Sequence, residues 1–172
     1  MKNPMRLTGG MSIIPSQEEL IDTILSSQLE KSQARLILLI DTSGQVISFH
    51  GERGSIDLVA LGALTASDLA ASEEIARISN LYQENQMVIR QGSKMNTIVY
   101  DINHNMILLY IVPATVPLGW VCYLVRESSS QINEALSKIQ KITGRRIFES
   151  DNSNLHEMIN NALDQVWKDS AP

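Results

Sequence analysis

The sequence predicts an α+β domain: a five-stranded antiparallel sheet with helices on both faces, in the chain order helix, strand, strand, helix, strand, strand, strand, helix. Three observations predict it. The runs Leu36-Ile37-Leu38-Leu39-Ile40 and Met106 to Val112 are apolar on both faces, which suits central strands covered on two sides. Turn residues in Asp41-Thr42-Ser43-Gly44, Gly92-Ser93 and Ile102-Asn103-His104-Asn105 join neighbouring strand-like segments closely enough for hairpins. A Pro-free stretch from about residue 56 to 79 separates the first hairpin from the last three strands and reads as a long crossover helix. The apolar strands belong in the centre and the polar ones at the edges. Hairpin connections then give the spatial order 2-1-5-4-3.

The elements follow in order. Residues 1–15 read as a flexible tail. Ser16-x-x-Glu19 resembles a capping box, and Leu20, Ile21, Ile24, Leu25 and Leu29 share one helical face behind it. Residues 34–41 form the first strand. In residues 45–50, Ile47 and Phe49 alternate with Val46, Ser48 and His50, as in a half-exposed edge strand. Ser55 is the expected N-cap of the long helix, with Asp57 near the positive end of its dipole. Leu61, Leu64, Ile75 and Ile78 are expected to face its core side. Met87 to Gln91, with Arg90 inside it, reads as the other edge strand, and residues 94–101 as its neighbour. Pro117 suits the first turn of the next helix, where Leu118, Cys122, Val125, Ser129, Ile132, Leu136 and Ile139 recur at helical spacing to about Lys141. Residues 16–141 thus make one domain. Residues 142–172 make a linker and a C-terminal amphipathic helix opened by Asn154-x-x-Glu157.

Composition excludes several function classes. Fourteen basic against 19 acidic residues in 172 give a net charge of −5, the wrong sign for nucleic acid. Residues 106–125 lack charge for 20 residues, but Pro113 and Pro117 break the helix that a membrane span would need, so no membrane insertion is expected. Cys122 is the single cysteine, and His50, His104 and His156 fit no metal-ligand spacing, so neither a disulfide nor a metal site nor a cofactor is expected. Gly51 to Gly54 lacks the Lys-Ser or Lys-Thr that a phosphate loop needs. Glu73-Glu74 reads as a solvated helix face, and Asp101 with His104 as turn chemistry. No catalytic residues stand together, and the chain is not expected to be an enzyme.

The order of elements, with Leu38-Leu39-Ile40-Asp41-Thr42-Ser43-Gly44-Gln45-Val46-Ile47, Leu61-Gly62-Ala63-Leu64-Thr65-Ala66 to Ala70-Ala71, Val88-Ile89-Arg90-Gln91-Gly92 and Pro117-Leu118-Gly119, resembles the Roadblock (dynein light-chain) family with its longin-like fold. Within that family it is most similar to the bacterial MglB type. The resemblance implies a cytoplasmic homodimer whose edge strands pair into a continuous sheet and whose long helices lie side by side. It implies that this dimer binds and regulates a small Ras-like (MglA-like) GTPase in cell polarity and motility, activating hydrolysis without an arginine finger of its own. The alternative is a scaffold in such a complex with no effect on nucleotide hydrolysis.

Three surfaces are the candidates. On the long helix Ala63, Ser67, Ala70 and Glu74 lie on one face, flanked by Ala66 and Ala71, and small side chains let another backbone approach closely. The rival reading is a helix packed tightly on its own sheet, with Ala present for helix propensity. Met87, Val88, Ile89, Arg90 and Gln91 are the expected dimer edge, since an unpaired edge must be paired or protected by charge. Leu155, Met158, Ile159, Leu163 and Trp167 form the apolar face of the last helix, a further partner contact or a surface folded back on the protein itself.

Overall fold

The computed structural model describes residues 5–6, 12–81 and 86–137. Two short strands, β1 (Met5–Arg6) and β2 (Ser12–Ile13), precede α1 (Pro15–Ser32). Then follow β3 (Leu36–Asp41), β4 (Val46–Gly51), α2 (Leu58–Ile78), β5 (Met87–Gln91), β6 (Met95–Asp101) and β7 (Met106–Pro113). Helix α3 occupies residues 118–137. Strands β3 to β7 form one antiparallel sheet in the order β4-β3-β7-β6-β5. Numbered along the chain from β3, that is the expected order 2-1-5-4-3. The C-terminal positions Leu155 to Trp167 lie outside the described residues.

The two apolar runs are the central strands, and every residue of β3 is buried. On one face of the sheet Ile37, Leu39, Leu108 and Tyr110 pack with Ile21 and Leu25 of α1 and with Val125 and Ile132 of α3. On the other, Leu36, Leu38, Ile40, Ile107 and Leu109 pack with Leu58, Ala66 and Leu69 of α2. The uncharged stretch 106–125 is β7, a loop and the start of α3. No helix among the described residues is long and apolar enough to cross a membrane.

Several local expectations are corrected. The tail segment carries the β1–β2 pair, and Ile13 joins the core. Helix α1 begins at Pro15, not Ser16, because the Gln17 side chain accepts the Ile14 backbone N–H at 3.0 Å and closes the first turn. Its inward stripe is Gln17, Ile21, Leu25, Gln28 and Ser32, with Leu20 exposed. From their buried positions Gln17 and Gln28 each donate to α3, to the Leu136 carbonyl and to Glu127. In β4 the register slips: Leu39 faces Ser48 while Ile40 faces Val46. The bulge at Ile47 breaks the alternation, so Ile47 and Ser48 are both buried and Phe49 is exposed. Asp57, not Ser55, caps α2 by accepting the N–H groups of Val59 and Ala60.

One buried polar pair ties α3 to the sheet. The Tyr110 hydroxyl lies 2.7 Å from Ser128 Oγ, which in turn donates to the Leu124 carbonyl at 2.7 Å. Burial raises the Tyr110 phenol above its ordinary range, with the Ser128 bond acting against the shift. Tyr110→Phe is expected to cost about 1–2 kcal/mol in urea unfolding. The loss stays small because Ser128 keeps its bond to Leu124.

Candidate partner-binding surface

The β3–β4 turn sets how α2 lies. Asp41 Oδ1 accepts the Ser43 N–H at 2.9 Å, the Ser43 hydroxyl at 2.6 Å and the Gln45 N–H at 2.9 Å. Gly44 then turns the chain at φ +88°. Helix α2 presses directly on this turn. A Cβ on Gly62 would sit 2.4 Å from the Gly44 carbonyl oxygen, and one on Gly44 2.6 Å from Ala63 Cα.

That contact requires the small residues of α2 to face inward, and it inverts the expected core face. Leu58, Gly62, Thr65, Ala66, Leu69 and Ala76 are buried. Val59, Leu64, Ile75 and Ile78 are 74 %, 69 %, 65 % and 71 % exposed. Of the large residues expected to face the core, only Leu61 packs on it, and partly.

The candidate residues are divided by this arrangement. Ala63, Ser67, Ala70, Ala71 and Glu74 are exposed, whereas Ala66 is buried against the sheet as the rival reading supposed. Ser67 donates back to the Ala63 carbonyl. Glu74 is bonded to Arg77, which holds its carboxyl below the ordinary range. Ala70, with Glu73, lines a cavity beside Thr42 and His104. The other flank of α2 looks toward β5. Leu64 and Asp68 line a groove with Arg90, and Ile75 lines another with Met87, Val88 and Ile89.

Strand β5 pairs with β6 alone among the described residues, so its outer edge is open. Met87 and Val88 are half-buried, and Ile89, Arg90 and Gln91 are exposed. The Arg90 guanidinium makes two hydrogen bonds to the Asp68 carboxylate of α2, one of them at 2.6 Å from Nη1 to Oδ2. The charge that could guard the edge is therefore drawn onto the helix.

Among the described residues, two clusters bear on chemistry. Ser48 donates to Asp22 Oδ1, and His50 Nε2 lies 3.3 Å from the same oxygen. The carboxylate, not the imidazole, accepts the Ser48 hydroxyl hydrogen bond, so this is no Ser-His relay. The second cluster joins the Asp101–His104 turn pair to Glu73, which the sequence reading kept apart because Glu73 lies on a different element. Glu73 of α2, Asp101 at the end of β6 and His104 in the following turn each offer a ligand atom within 4.8 Å of the others. Burial, then the neighbouring Asp101, pushes the Glu73 carboxyl above its ordinary range, with His104 acting against them.

No protein-family model and no curated protein matches the sequence. Solved structures do match. Myxococcus xanthus MglB superposes with a TM-score of 0.68 at 21 % identity, covering 74 % of this chain and 96 % of that one. The gliding protein MglB of Thermus thermophilus gives a TM-score of 0.65 at 22 % identity, over 80 % of this chain and 99 % of that one. A Roadblock/LC7 domain from Streptomyces avermitilis gives 0.53 at 10 % identity, over 71 % and 96 %.

The chain has the Roadblock fold, similar to that of MglB. Its sheet order and long crossover helix are those of the Roadblock fold, and the likeness spans nearly the whole of each matched chain.

Proposed function

We propose that the protein is a homodimeric, non-enzymatic regulator of a small Ras-like GTPase in the cytoplasm, acting on hydrolysis in cell polarity or motility. The observation that carries this reading is the outward row of large apolar side chains on α2 beside the open edge of β5. Such a row is costly to leave in water and marks a protein interface. In a dimer, two β5 edges pair into one sheet and the Leu64 and Ile75 flanks of two α2 helices meet. The small-residue flank, with Ala63, Ser67, Ala70 and Glu74, then stays open for the GTPase. Residues 16–141 make this unit, and Leu155, Met158, Ile159, Leu163 and Trp167 add a contact to the partner. Regulation comes from preferring one nucleotide conformation of the GTPase, since only differential binding shifts an equilibrium.

The test is phosphate release. Adding the protein to its GTP-loaded partner is expected to accelerate release, and Ala63→Arg with Ala70→Arg to remove the effect while the dimer persists. Binding without any change in release would instead favour the scaffold reading.

A further inference from the structure

We propose that Glu73, Asp101 and His104 form a binding site for a divalent first-row metal ion, Zn2+ or Mn2+, that ties α2 to the β6–β7 turn. Asp101 carries the argument. The residue is 1 % exposed, and its Oδ1 already accepts the His104 backbone N–H at 2.8 Å. Its Oδ2 is buried without a hydrogen-bond donor. His104 Nδ1 lies 2.8 Å from that oxygen, but the contact lacks hydrogen-bond geometry. Two donors that share one ion at bonds of about 2.1 Å stand roughly 3 Å apart, so the spacing suits a shared ion.

Charge points the same way. A protonated His104 would offset only one of the two carboxylates, whereas a divalent cation offsets both and leaves the imidazole neutral as a ligand. A buried carboxylate oxygen without a donor is otherwise expensive. The backbone holds the pair in place: His104 takes a left-handed conformation at φ +59°, and its N–H is bonded to Asp101 Oδ1. The adjoining cavity, about 160 Å³ and lined by Thr42, Ala70 and Glu73, has room for waters to complete the shell. One imidazole with two carboxylates favours Zn2+ or Mn2+ over Mg2+, which keeps oxygen ligands and most of its water.

The test is calorimetric titration of the metal-stripped full-length protein with ZnCl2 and with MnCl2, Mn2+ being followed also by its paramagnetic resonance signal. Saturable binding of one ion per chain is expected, with a rise in melting temperature. Glu73→Gln and His104→Asn should each weaken binding by about tenfold or more, the loss that even a supporting residue can cause. Asn tolerates the left-handed turn, and Glu73 is only partly buried, so both variants should melt like the parent without metal. If His104→Asn alone lowers that melting point, Glu73→Gln decides. The control His50→Asn should bind as the parent does. No saturation up to about 1 mM ion, the weak end for protein cation sites, would overturn the proposal. So would an affinity unchanged in Glu73→Gln, or one lost in His50→Asn instead.

Discussion

Gly62→Val is expected to destabilise the protein by about 3 kcal/mol, lowering the melting temperature by roughly 6–12 °C for a chain of this size. The first added atom would fall 2.4 Å from the Gly44 carbonyl oxygen, and the next neighbour is Ile40 Cγ2 at 3.4 Å. Neither can yield cheaply. Gly44 donates its N–H to the Asp41 carbonyl at 2.9 Å, and Asp41 is wholly buried. The alternative is to lift α2, which uncovers Leu36, Leu38 and Ile40 beneath it. Helix propensity works the other way, since Val is better than Gly in a helix interior, but by only about 0.5 kcal/mol. Gly119→Ala is the matching control. Nothing lies within 4 Å of a Cβ there, so it should be neutral or slightly stabilising. Urea unfolding of the two variants separates sterics from propensity. Equal stability of Gly62→Val and the parent would mean that α2 is not seated on the turn.

The same contact explains what was and was not legible in the sequence. Strands β3 and β7 were readable because a run apolar on both faces has one stable home, and the Asp41 to Gly44 turn because its bonds are local. Their adjacency followed from hairpin connections and edge polarity. The inward face of α2 was not readable. Ranking its faces by hydrophobicity assumes that the largest side chains seek this chain's own sheet. Here a backbone-to-backbone approach at Gly44 and Gly62 decides instead, and admits only residues such as Ala66 at the seam. The Ile47 bulge escaped for a related reason, since strict alternation has no means of showing an extra residue. Asp101 and His104 are paired by local spacing, but Glu73 joins them only once α2 crosses the end of β6, which no local spacing encodes. The choice of Gln17 over Ser16 at the start of α1 shows the limit of a cap motif: with Pro15 already in the first turn, Ser16 lies inside the helix.

Leu64→Arg together with Ile75→Arg is expected to break the proposed dimer while leaving the subunit folded. Both residues are about two-thirds exposed in the subunit, at 69 % and 65 %, so their replacement costs the monomer little. Substitutions at such sites move stability by within about 0.5 kcal/mol, and Arg is a good helix former. In a two-fold dimer each substitution occurs twice, and the four guanidinium groups would meet across one seam. Burying an unpaired charge costs several kcal/mol even after relaxation. A weakening of about a thousandfold in the dimer constant, roughly 4 kcal/mol, is therefore a modest expectation. Sedimentation or light scattering over a dilution series reads the association, and far-ultraviolet circular dichroism confirms the fold. Ala63→Arg with Ala70→Arg lies on the other flank and should leave the proposed dimer intact, so the two pairs distinguish the proposed seam between subunits from the face proposed for the GTPase. A dimer constant unchanged by Leu64→Arg and Ile75→Arg would remove the apolar row from the interface. The edge of β5 would then have to hold the two subunits without it, through backbone hydrogen bonds that net only about 1 kcal/mol each.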